Sequence, residues 1–322
     1  MIQAEVQTVI TGAVATPDPH LEKILNHALS GGKGLRPTMV LLCARFGIHD
    51  TLEAGRVAAA IELIHLASLI HDDVLDGAAT RRNLPALHSL YGSVPAILTG
   101  DYLFATAFGL LAKGKKAILY SVTEAIRSMC SGEIQQQAVR GPSVEAYFAY
   151  IGQKTAALFS TACRCGGILC RLKRSQQGYL TRFGWHLGLA YQIVDDCLDL
   201  FGSADRMGKP ARQDLTNGII TLPVLRFLEL TPDAPRWQAK IDAGLDAAEM
   251  EELASAARHL NCDVYTAATA REQIALALEA LDKLPAHPAQ DDLALLAARI
   301  LSPLEIDVGS ERSNGQYGRF SW

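Results

Sequence analysis

The hydrophobic residues of this chain recur every three to four positions over long stretches, which short polar or Gly-rich connectors separate. Such spacing collects the apolar side chains on one face of an α-helix. It predicts helices over residues 21–29, 37–46, 96–113, 117–139, 144–172 and 176–201, one from about residue 51, and several between 221 and 301. The alternation typical of strands is weak throughout, so neither a dinucleotide-binding fold nor a nucleophile elbow is predicted. The pattern favours an all-α protein.

At 322 residues, the chain is long enough for one large domain or two ordinary ones. Of its residues, 49% are apolar and 20% are charged, which is typical of a soluble helical protein. We assign residues 1–306 to one helical domain. From residue 307 the sequence becomes polar and rich in glycine, and we expect this tail to be mobile.

Charge and cysteine content narrow the class of protein further. The net charge of −4 argues against a nucleic-acid-binding surface. The seven cysteines are scattered through apolar helices, which indicates reduced core thiols in a cytoplasmic protein. Cys163, Cys165 and Cys170 lie close together, but no CxxC pair or nearby histidine completes a zinc site, so core packing is the favoured interpretation.

Neither a targeting segment nor a membrane-spanning helix is expected from the sequence. Acidic residues stand near the N-terminus, where a signal peptide has a basic region. The best apolar run, residues 94–112, is interrupted by Pro95 and Asp101. We therefore expect a soluble protein that is not integral to a membrane.

One long apolar helix ends in a cluster of aspartates. Asp72 and Asp76 lie four positions apart and share a helical face, with Asp73 beside them. Their mutual repulsion becomes costly at the mouth of an apolar cavity, so a cation is expected there. Arg81 and Arg82 follow, and a metal-bound phosphate would satisfy both signs of charge. A solvated acidic helix end is the alternative.

A second apolar helix repeats the arrangement with Asp195, Asp196 and Asp199. Neither cluster is an EF-hand, because position twelve counted from Asp72 is Asn83 rather than glutamate. Two helix-borne clusters can face each other across a bundle and share cations. Carboxylates of this kind suit Mg²⁺, which takes its other ligands from water and substrate phosphate.

Three further groups of residues have more than one interpretation. Lys33 and Arg36 stand in a Gly-rich loop before a helix, which can cradle phosphate or simply connect two helices. Lys154 lies in an apolar helix, where an inward-facing ammonium needs an anion and an outward-facing one would have no functional meaning. Glu62 and His65 form an ExxH pair, but no second ExxH completes a di-iron site.

These motifs together resemble the trans-isoprenyl diphosphate synthases, and in particular the all-trans polyprenyl diphosphate synthases. The matching segments occur in the family's order and at its spacing. They are GGKGLRP at 31–37, HLASLIHDDVLDGAATRR at 65–82, GDYLFA at 100–105, GEIQQ at 132–136, KTA at 154–156, GLAYQIVDDCLD at 188–199 and GKPARQDLTNGIITLP at 208–223.

The resemblance implies a single antiparallel helical bundle around a central cavity, usually assembled as a homodimer. It also implies a reaction. About three Mg²⁺ ions and basic side chains bind the diphosphate of an allylic substrate. The allylic C–O bond ionises, the double bond of isopentenyl diphosphate attacks the cation, and loss of a proton gives a chain one isoprene unit longer.

The resemblance also assigns roles to individual residues of this chain. Metal ligands are Asp72, Asp76 and Asp195, with Asp73, Asp196 and Asp199 close by or reached through water. The allylic diphosphate is bound by Arg81, Lys154 and Lys209. Polar groups beside the allylic carbon are Thr155 and Gln192. The isopentenyl diphosphate site comprises Lys33, Arg36, His65 and Arg82.

The chain departs from the family pattern at two positions. Gly34 replaces an arginine in the first loop, where a small effect is expected because Lys33 and Arg36 remain. Ile219 replaces the second lysine of a DLxxGKxTLP pattern, and the loss of this charge predicts weaker allylic binding.

Two other classes of protein remain alternatives. A class I terpene cyclase would share the first aspartate motif but have a different second one. An inactive partner subunit of a heteromeric synthase would usually have lost the second cluster, which this chain keeps.

Product length is expected to depend on the wall below the first cluster. The positions four and five before it, where the family places bulky aromatic stops, are Ser68 and Ala67. Both side chains are small, so we expect a product longer than geranylgeranyl diphosphate, of the kind used for quinone side chains. A geranylgeranyl product is the alternative, since the floor can be closed by Ile64, Phe104 or Phe108.

Overall fold

The computed structural model describes residues 2–32, 34–138, 143–202 and 212–309. Within these ranges the chain is helical apart from short connectors and one two-stranded hairpin, so the all-α prediction is confirmed. Lys33, Lys209 and the tail beyond residue 309 lie outside the described residues. The roles predicted for them stay predictions.

The helices of the first half are α1 (Ile2–Val14), α2 (Pro19–Ala28), α3 (Leu35–Ala44), α4 (Thr51–Leu75), α5 (Leu87–Tyr91), α6 (Ser93–Leu111) and α7 (Lys116–Ala138). A single π-helical turn, Gly152–Ala156, joins α8 (Val144–Ile151) to α9 (Ala157–Leu169). The remaining helices are α10 (Arg174–Phe201), α11 (Gln213–Thr216), α12 (Leu222–Leu230), α13 (Ala234–Ala243), α14 (Ala247–His259), α15 (Cys262–Asp282) and α16 (Pro288–Gly309).

Helix α4 lies at the centre of the bundle, between α3 and α6. Its residues from Val57 to Ile64 are all buried, so this stretch is enclosed around its whole circumference. The helix begins where the side chain of Asp50 accepts hydrogen bonds from the amides of Leu52 and Glu53. Helix α10 is the second central helix and packs against α9 and α15. These two central helices carry the two aspartate clusters.

A short hairpin follows α4 and was not expected from the sequence. Strands β1 (Thr80–Arg81) and β2 (Leu84–Pro85) are antiparallel, with Arg81 opposite Leu84. The two residues between them, Arg82 and Asn83, have φ values of 54° and 61°. Positive φ at both loop positions is the pattern of a type I′ turn. The turn separates Arg81 from Arg82 and directs the two guanidinium groups to different partners.

Three further observations differ from the pattern or refine it. Helix α1 was not predicted, and the helix expected over residues 144–172 is divided by the π-turn. Six cysteines are buried and Cys130 is exposed, all of them free thiols. Among the described residues, α6 is the one helix long and apolar enough to cross a membrane by length and composition.

Candidate active site

The first aspartate cluster divides into two open carboxylates and one closed one. Asp72 is half-buried and Asp76, which caps the C-terminus of α4, is exposed, whereas Asp73 is only 4% exposed. The carboxylate of Asp73 accepts a hydrogen bond of 2.7 Å from Arg81 Nε and is ion-paired with the same guanidinium group. Asp72 and Asp76 are therefore the carboxylates placed to meet a ligand, and Asp73 holds Arg81.

The carboxylates of the second cluster differ in burial. Asp195 is half-buried, whereas Asp196 and Asp199 are each 3% exposed. Asp199 accepts hydrogen bonds from the backbone amides of Gln213 (3.3 Å) and Asp214 (3.1 Å) at the start of α11. This carboxylate therefore ties the end of α10 to the chain that returns after residue 211. Metal contact by Asp73, Asp196 and Asp199 stays a prediction.

Asp196 forms part of a buried polar network. Its Oδ2 accepts a 2.5 Å hydrogen bond from the hydroxyl of Tyr147, and its Oδ1 accepts one of 2.8 Å from Gln192 Nε2. Gln192 Oε1 in turn accepts a 2.7 Å hydrogen bond from Thr155 Oγ1. The structure thus brings together Thr155 and Gln192, the two neutral polar groups assigned to the allylic carbon.

The side chains of Lys154 and Thr155, both on the π-turn, contact different helices. Lys154 Nζ lies 2.5 Å from Glu133 Oε2 and donates a 2.8 Å hydrogen bond to Gln136 Oε1, both on α7, while Thr155 reaches α10. A π-turn inserts one extra residue into the helical repeat and occurs frequently at functional sites. Close approach of α7 requires Gly132, because a Cβ there would lie 2.5 Å from the backbone nitrogen of Lys154.

The open carboxylates lie in an environment that disfavours their negative charge. The pKa of Asp72 is raised to about 7, chiefly by burial, with Lys154 opposing this shift and Glu133 and Asp76 adding to it. Arg81 is within electrostatic range of both Asp72 and Asp195, so the two clusters border one space. The excess of partly desolvated carboxylates fits a set of divalent cations.

The donor set is compatible with Mg²⁺ although it is incomplete by itself. Among the described residues, no three Asp, Glu, His or Cys side chains are grouped closely enough to hold a metal ion. Mg²⁺ commonly uses only one or two carboxylates and completes its shell with water and substrate phosphate. Asp72, Asp76 and Asp195 are the residues that would hold it.

A second basic group lies near the middle of α4. Arg36, which is 8% exposed, is 4.4 Å from the centre of the Phe159 ring, and its NH1 lies 3.0 Å from His65 Nε2. Because a guanidinium only donates hydrogen bonds, His65 Nε2 must accept. Burial and the nearby arginines lower the pKa of His65 well below its usual range. His65 is thus a neutral group that orients Arg36, which lies near the partly desolvated carboxyl of Glu62.

Arg82 and the first Gly-rich loop form one unit. Arg82 NH1 donates a 2.8 Å hydrogen bond to the carbonyl oxygen of Gly31. Gly32, which lies against the same guanidinium group, has φ of 116°, a backbone conformation that favours glycine. Gly34 has φ of 56° and precedes α3, a left-handed conformation that glycine adopts without steric cost. The departure at this position therefore has a backbone explanation.

The second departure from the family pattern is Ile219, whose backbone nitrogen donates a 2.8 Å hydrogen bond to the carbonyl oxygen of Asp214. Its side chain is apolar, whereas the family pattern has a lysine at this position.

The two predicted wall residues differ in their surroundings. Ala67 is fully buried and lies one turn before His71, whose ring packs on Gly100 of α6. Ser68 is half-buried and lies one turn before Asp72. Ser68 is therefore the better candidate for the wall under the aspartates.

Sequence reasoning missed the roles of two polar residues. Glu133 belongs to the GEIQQ motif, which was quoted for the resemblance without a role for any of its residues. Tyr147 gave no signal, because a tyrosine in an apolar helix usually serves core packing. Both partners, Lys154 and Asp196, were identified, so a search for what each buried charge must contact would have pointed to them.

The fold and site define an all-α enzyme with two facing carboxylate clusters and separate basic groups for anionic substrates. The sequence profile of the polyprenyl synthetase family matches residues 18–259, and this chain belongs to that family. It is a trans-prenyltransferase, as the sequence predicted.

Individual relatives agree with this assignment over nearly the whole chain. Component 2 of heptaprenyl diphosphate synthase from Geobacillus stearothermophilus is 37% identical over 284 residues, which cover 85% of this chain and 88% of that protein. Octaprenyl diphosphate synthase from Escherichia coli is 33% identical and covers 83% of this chain and 84% of its own length. A polyprenyl synthase from Caulobacter crescentus, solved with calcium and isoprenyl diphosphate, superposes with a TM-score of 0.89 at 31% identity, covering 93% and 94% of the two chains.

Proposed function

We propose that this prenyltransferase condenses isopentenyl diphosphate with an allylic diphosphate and repeats the step to a medium-chain or long-chain all-trans product. The observation that carries the proposal is the order of charges in the site. Open carboxylates and Lys154 lie at one end, neutral Thr155 and Gln192 lie beside them, and Arg36 with His65 forms a separate basic group. Two anionic diphosphates and one developing cation fit this order.

The allylic diphosphate binds at the end that holds the aspartates. Arg81 and Lys154 neutralise its charge together with Lys209, and both described groups are already oriented by carboxylates, Arg81 by Asp73 and Lys154 by Glu133. Bound Mg²⁺ supplies further positive charge to the departing diphosphate. Because negative charge on the diphosphate grows as the C–O bond breaks, fixed cationic side chains stabilise the transition state more than the ground state.

The allylic cation forms beside Thr155 and Gln192. Neutral oxygen atoms stabilise a carbocation through their dipoles without adding to it as a carboxylate nucleophile would. Arg36, His65 and Arg82, with Lys33, hold isopentenyl diphosphate so that its double bond faces the cation. The electron pair of that double bond forms the new C–C bond. The released diphosphate accepts the proton whose loss restores a double bond in the lengthened chain.

Purified protein supplied with Mg²⁺, labelled isopentenyl diphosphate and a series of allylic primers is expected to form products longer than geranylgeranyl diphosphate. Ser68→Phe is expected to shorten the product by one or more isoprene units, because an aromatic ring fills volume that the tail would occupy. Ala67→Phe, at the fully buried neighbouring position, is the comparison. The measurement is chain length by chromatography or mass spectrometry.

Four outcomes would change this assignment. A wild-type product that stops at farnesyl diphosphate, or no shortening by either phenylalanine variant, contradicts the wall. Cyclised hydrocarbons from an allylic substrate alone would indicate a terpene cyclase. Activity that depends on adding a second protein would indicate a heteromeric synthase, as the name of the Geobacillus relative suggests for that protein.

We also propose that the outer face of α6 is covered by a second copy of this chain. Val94 is 68% exposed, Leu98 61% and Ile97 42%, so one side of the helix is apolar. The side chain of Asp101 in the middle of the helix is 61% exposed, which makes lipid an expensive environment for this face. A flat apolar helix face suits the symmetric contact of a twofold dimer.

Leu98→Glu is expected to halve the mass seen by sedimentation while helical circular dichroism stays unchanged, because buried like charges would oppose each other across a twofold axis. Ile48→Glu is the matched control, since Ile48 is 95% exposed and lies outside this face. A monomeric wild type, or a Leu98→Glu variant of unchanged mass, contradicts the proposal.

A further inference from the structure

A continuous chain of hydrogen bonds joins a tyrosine of α8 to the threonine of the π-turn. The hydroxyl of Tyr147 donates to Asp196 Oδ2 at 2.5 Å, and Gln192 Nε2 donates to Asp196 Oδ1 at 2.8 Å. Thr155 Oγ1 then donates to Gln192 Oε1 at 2.7 Å. The side chain at the start of this chain is completely buried, since Tyr147 is 0% exposed.

The donors and acceptors of this chain allow one direction when Asp196 is ionised. A carboxylate only accepts, so Gln192 must turn its NH₂ group to Asp196 and its carbonyl oxygen to Thr155. A carbonyl oxygen also only accepts, so Thr155 must donate its single hydroxyl proton to Gln192. The lone pairs of Thr155 Oγ1 are then directed away from Gln192.

Tyr147 fixes the first link of the chain. Its 2.5 Å contact has the length of a charge-assisted O–H···O⁻ hydrogen bond, which is stronger than one between neutral groups. By holding one carboxylate oxygen, Tyr147 sets the plane of the carboxylate and so directs the other oxygen to Gln192. Without this contact, the carboxylate, the amide and the hydroxyl can each rotate.

We propose that Tyr147 is a positioning residue for the condensation, acting through Asp196 and Gln192 to hold the Thr155 hydroxyl with its lone pairs towards the allylic carbon. The inference rests on the proposed function. A preorganised oxygen dipole stabilises the allylic cation as it forms, whereas a hydroxyl free to rotate presents its positive hydrogen for part of the time. Tyr147 itself need not touch the substrate.

The test is a double-mutant cycle on kcat with both substrates and Mg²⁺ saturating. Tyr147→Phe removes only the hydroxyl and is expected to lower kcat about tenfold, with both KM values within about twofold of wild type. In a Thr155→Val background the same change is expected to have no further effect, because the group being positioned is already absent. In a Thr155→Ser background, which keeps the hydroxyl, the effect of Tyr147→Phe should return.

Tyr150→Phe is the matched control. Tyr150 is 3% exposed, and its hydroxyl lies 3.4 Å from the carbonyl oxygen of Ile220 and is also hydrogen-bonded to Gln136. Tyr150→Phe therefore removes a buried hydroxyl that is not part of the chain. Its effect on kcat is expected to multiply with that of Thr155→Val. Melting temperatures define an assay temperature at which every variant is folded.

Several results would overturn the inference. Independent, multiplying effects of Tyr147→Phe and Thr155→Val would indicate a purely structural role for the tyrosine. A loss of activity that appears only when Mg²⁺ is limiting, and not at saturating Mg²⁺, would place the role in metal binding. Normal kcat in Tyr147→Phe would remove the role altogether, whereas a wild type without condensation activity would instead refute the proposed function on which the inference rests.

Discussion

Asp72→Asn or Asp195→Asn is expected to reduce condensation by a factor on the order of 10³ or more, since each change removes a ligand for the cations that stabilise the departing diphosphate. EDTA should silence the wild-type protein in the same way. The measurement is the turnover of labelled isopentenyl diphosphate at saturating substrate. Asp242→Asn is the control, because that carboxylate is exposed on α13 and accepts a 3.0 Å hydrogen bond from Gln238 Nε2.

The loss of activity in Asp72→Asn should not come from unfolding. The pKa of Asp72 is raised from 3.8 to about 7 in the folded protein, chiefly by burial. A carboxyl with a raised folded pKa contributes stability below its unfolded pKa and loses it as the pH rises through the folded value. Above pH 7, the melting temperature of metal-free Asp72→Asn should therefore be no lower than that of the metal-free wild-type protein. Full turnover of either variant, or turnover in excess EDTA, would contradict the metal assignment.

Lys154→Ala is expected to lower kcat by about 10² and to raise KM for the allylic diphosphate, because its ammonium meets the charge that develops on the leaving group. Arg36→Ala should instead act mainly on KM for isopentenyl diphosphate. Steady-state kinetics with each substrate varied separately make the comparison, and melting curves exclude unfolding of the buried Arg36 site. If Arg36→Ala altered only the allylic substrate, the map of two separate sites would be wrong.

A Glu133 carboxylate left without its ion-pair partner is the main competing explanation for a lower kcat in Lys154→Ala. Glu133 lies 2.5 Å from the ammonium, and removal of Lys154 would leave this carboxylate facing Asp72 without its partner. The double variant Lys154→Ala/Glu133→Gln removes that charge. If Lys154 binds the diphosphate, the double variant stays as slow as the single one. Recovery of kcat in the double variant would mean that Lys154 serves only to neutralise Glu133.

The content of the fold was largely predictable, and its interruptions were not. The predicted helix over residues 176–201 became Arg174–Phe201, and the one over 96–113 became Ser93–Leu111, because amphipathic periodicity is a local signal. The π-turn at Gly152–Ala156 and the hairpin at Arg81 left no comparable pattern. Each depends on a contact with another element, since Gly132 of α7 lies against Lys154 and Asp73 of α4 pairs with Arg81.

The two aspartate clusters show where local information ends. The sequence by itself determined that Asp72 and Asp76 share a helix face and that Asp195 begins a similar group, because spacing along a helix sets direction. Only the tertiary structure decided which carboxylates stay open. The carboxylate of Asp73 is hydrogen-bonded to Arg81, eight residues away on strand β1, and that of Asp196 to Tyr147, 49 residues away on another helix. A partner at that distance is chosen by the packing of helices rather than by periodicity, so no local pattern distinguishes the carboxylate that meets the ligand from the one beside it.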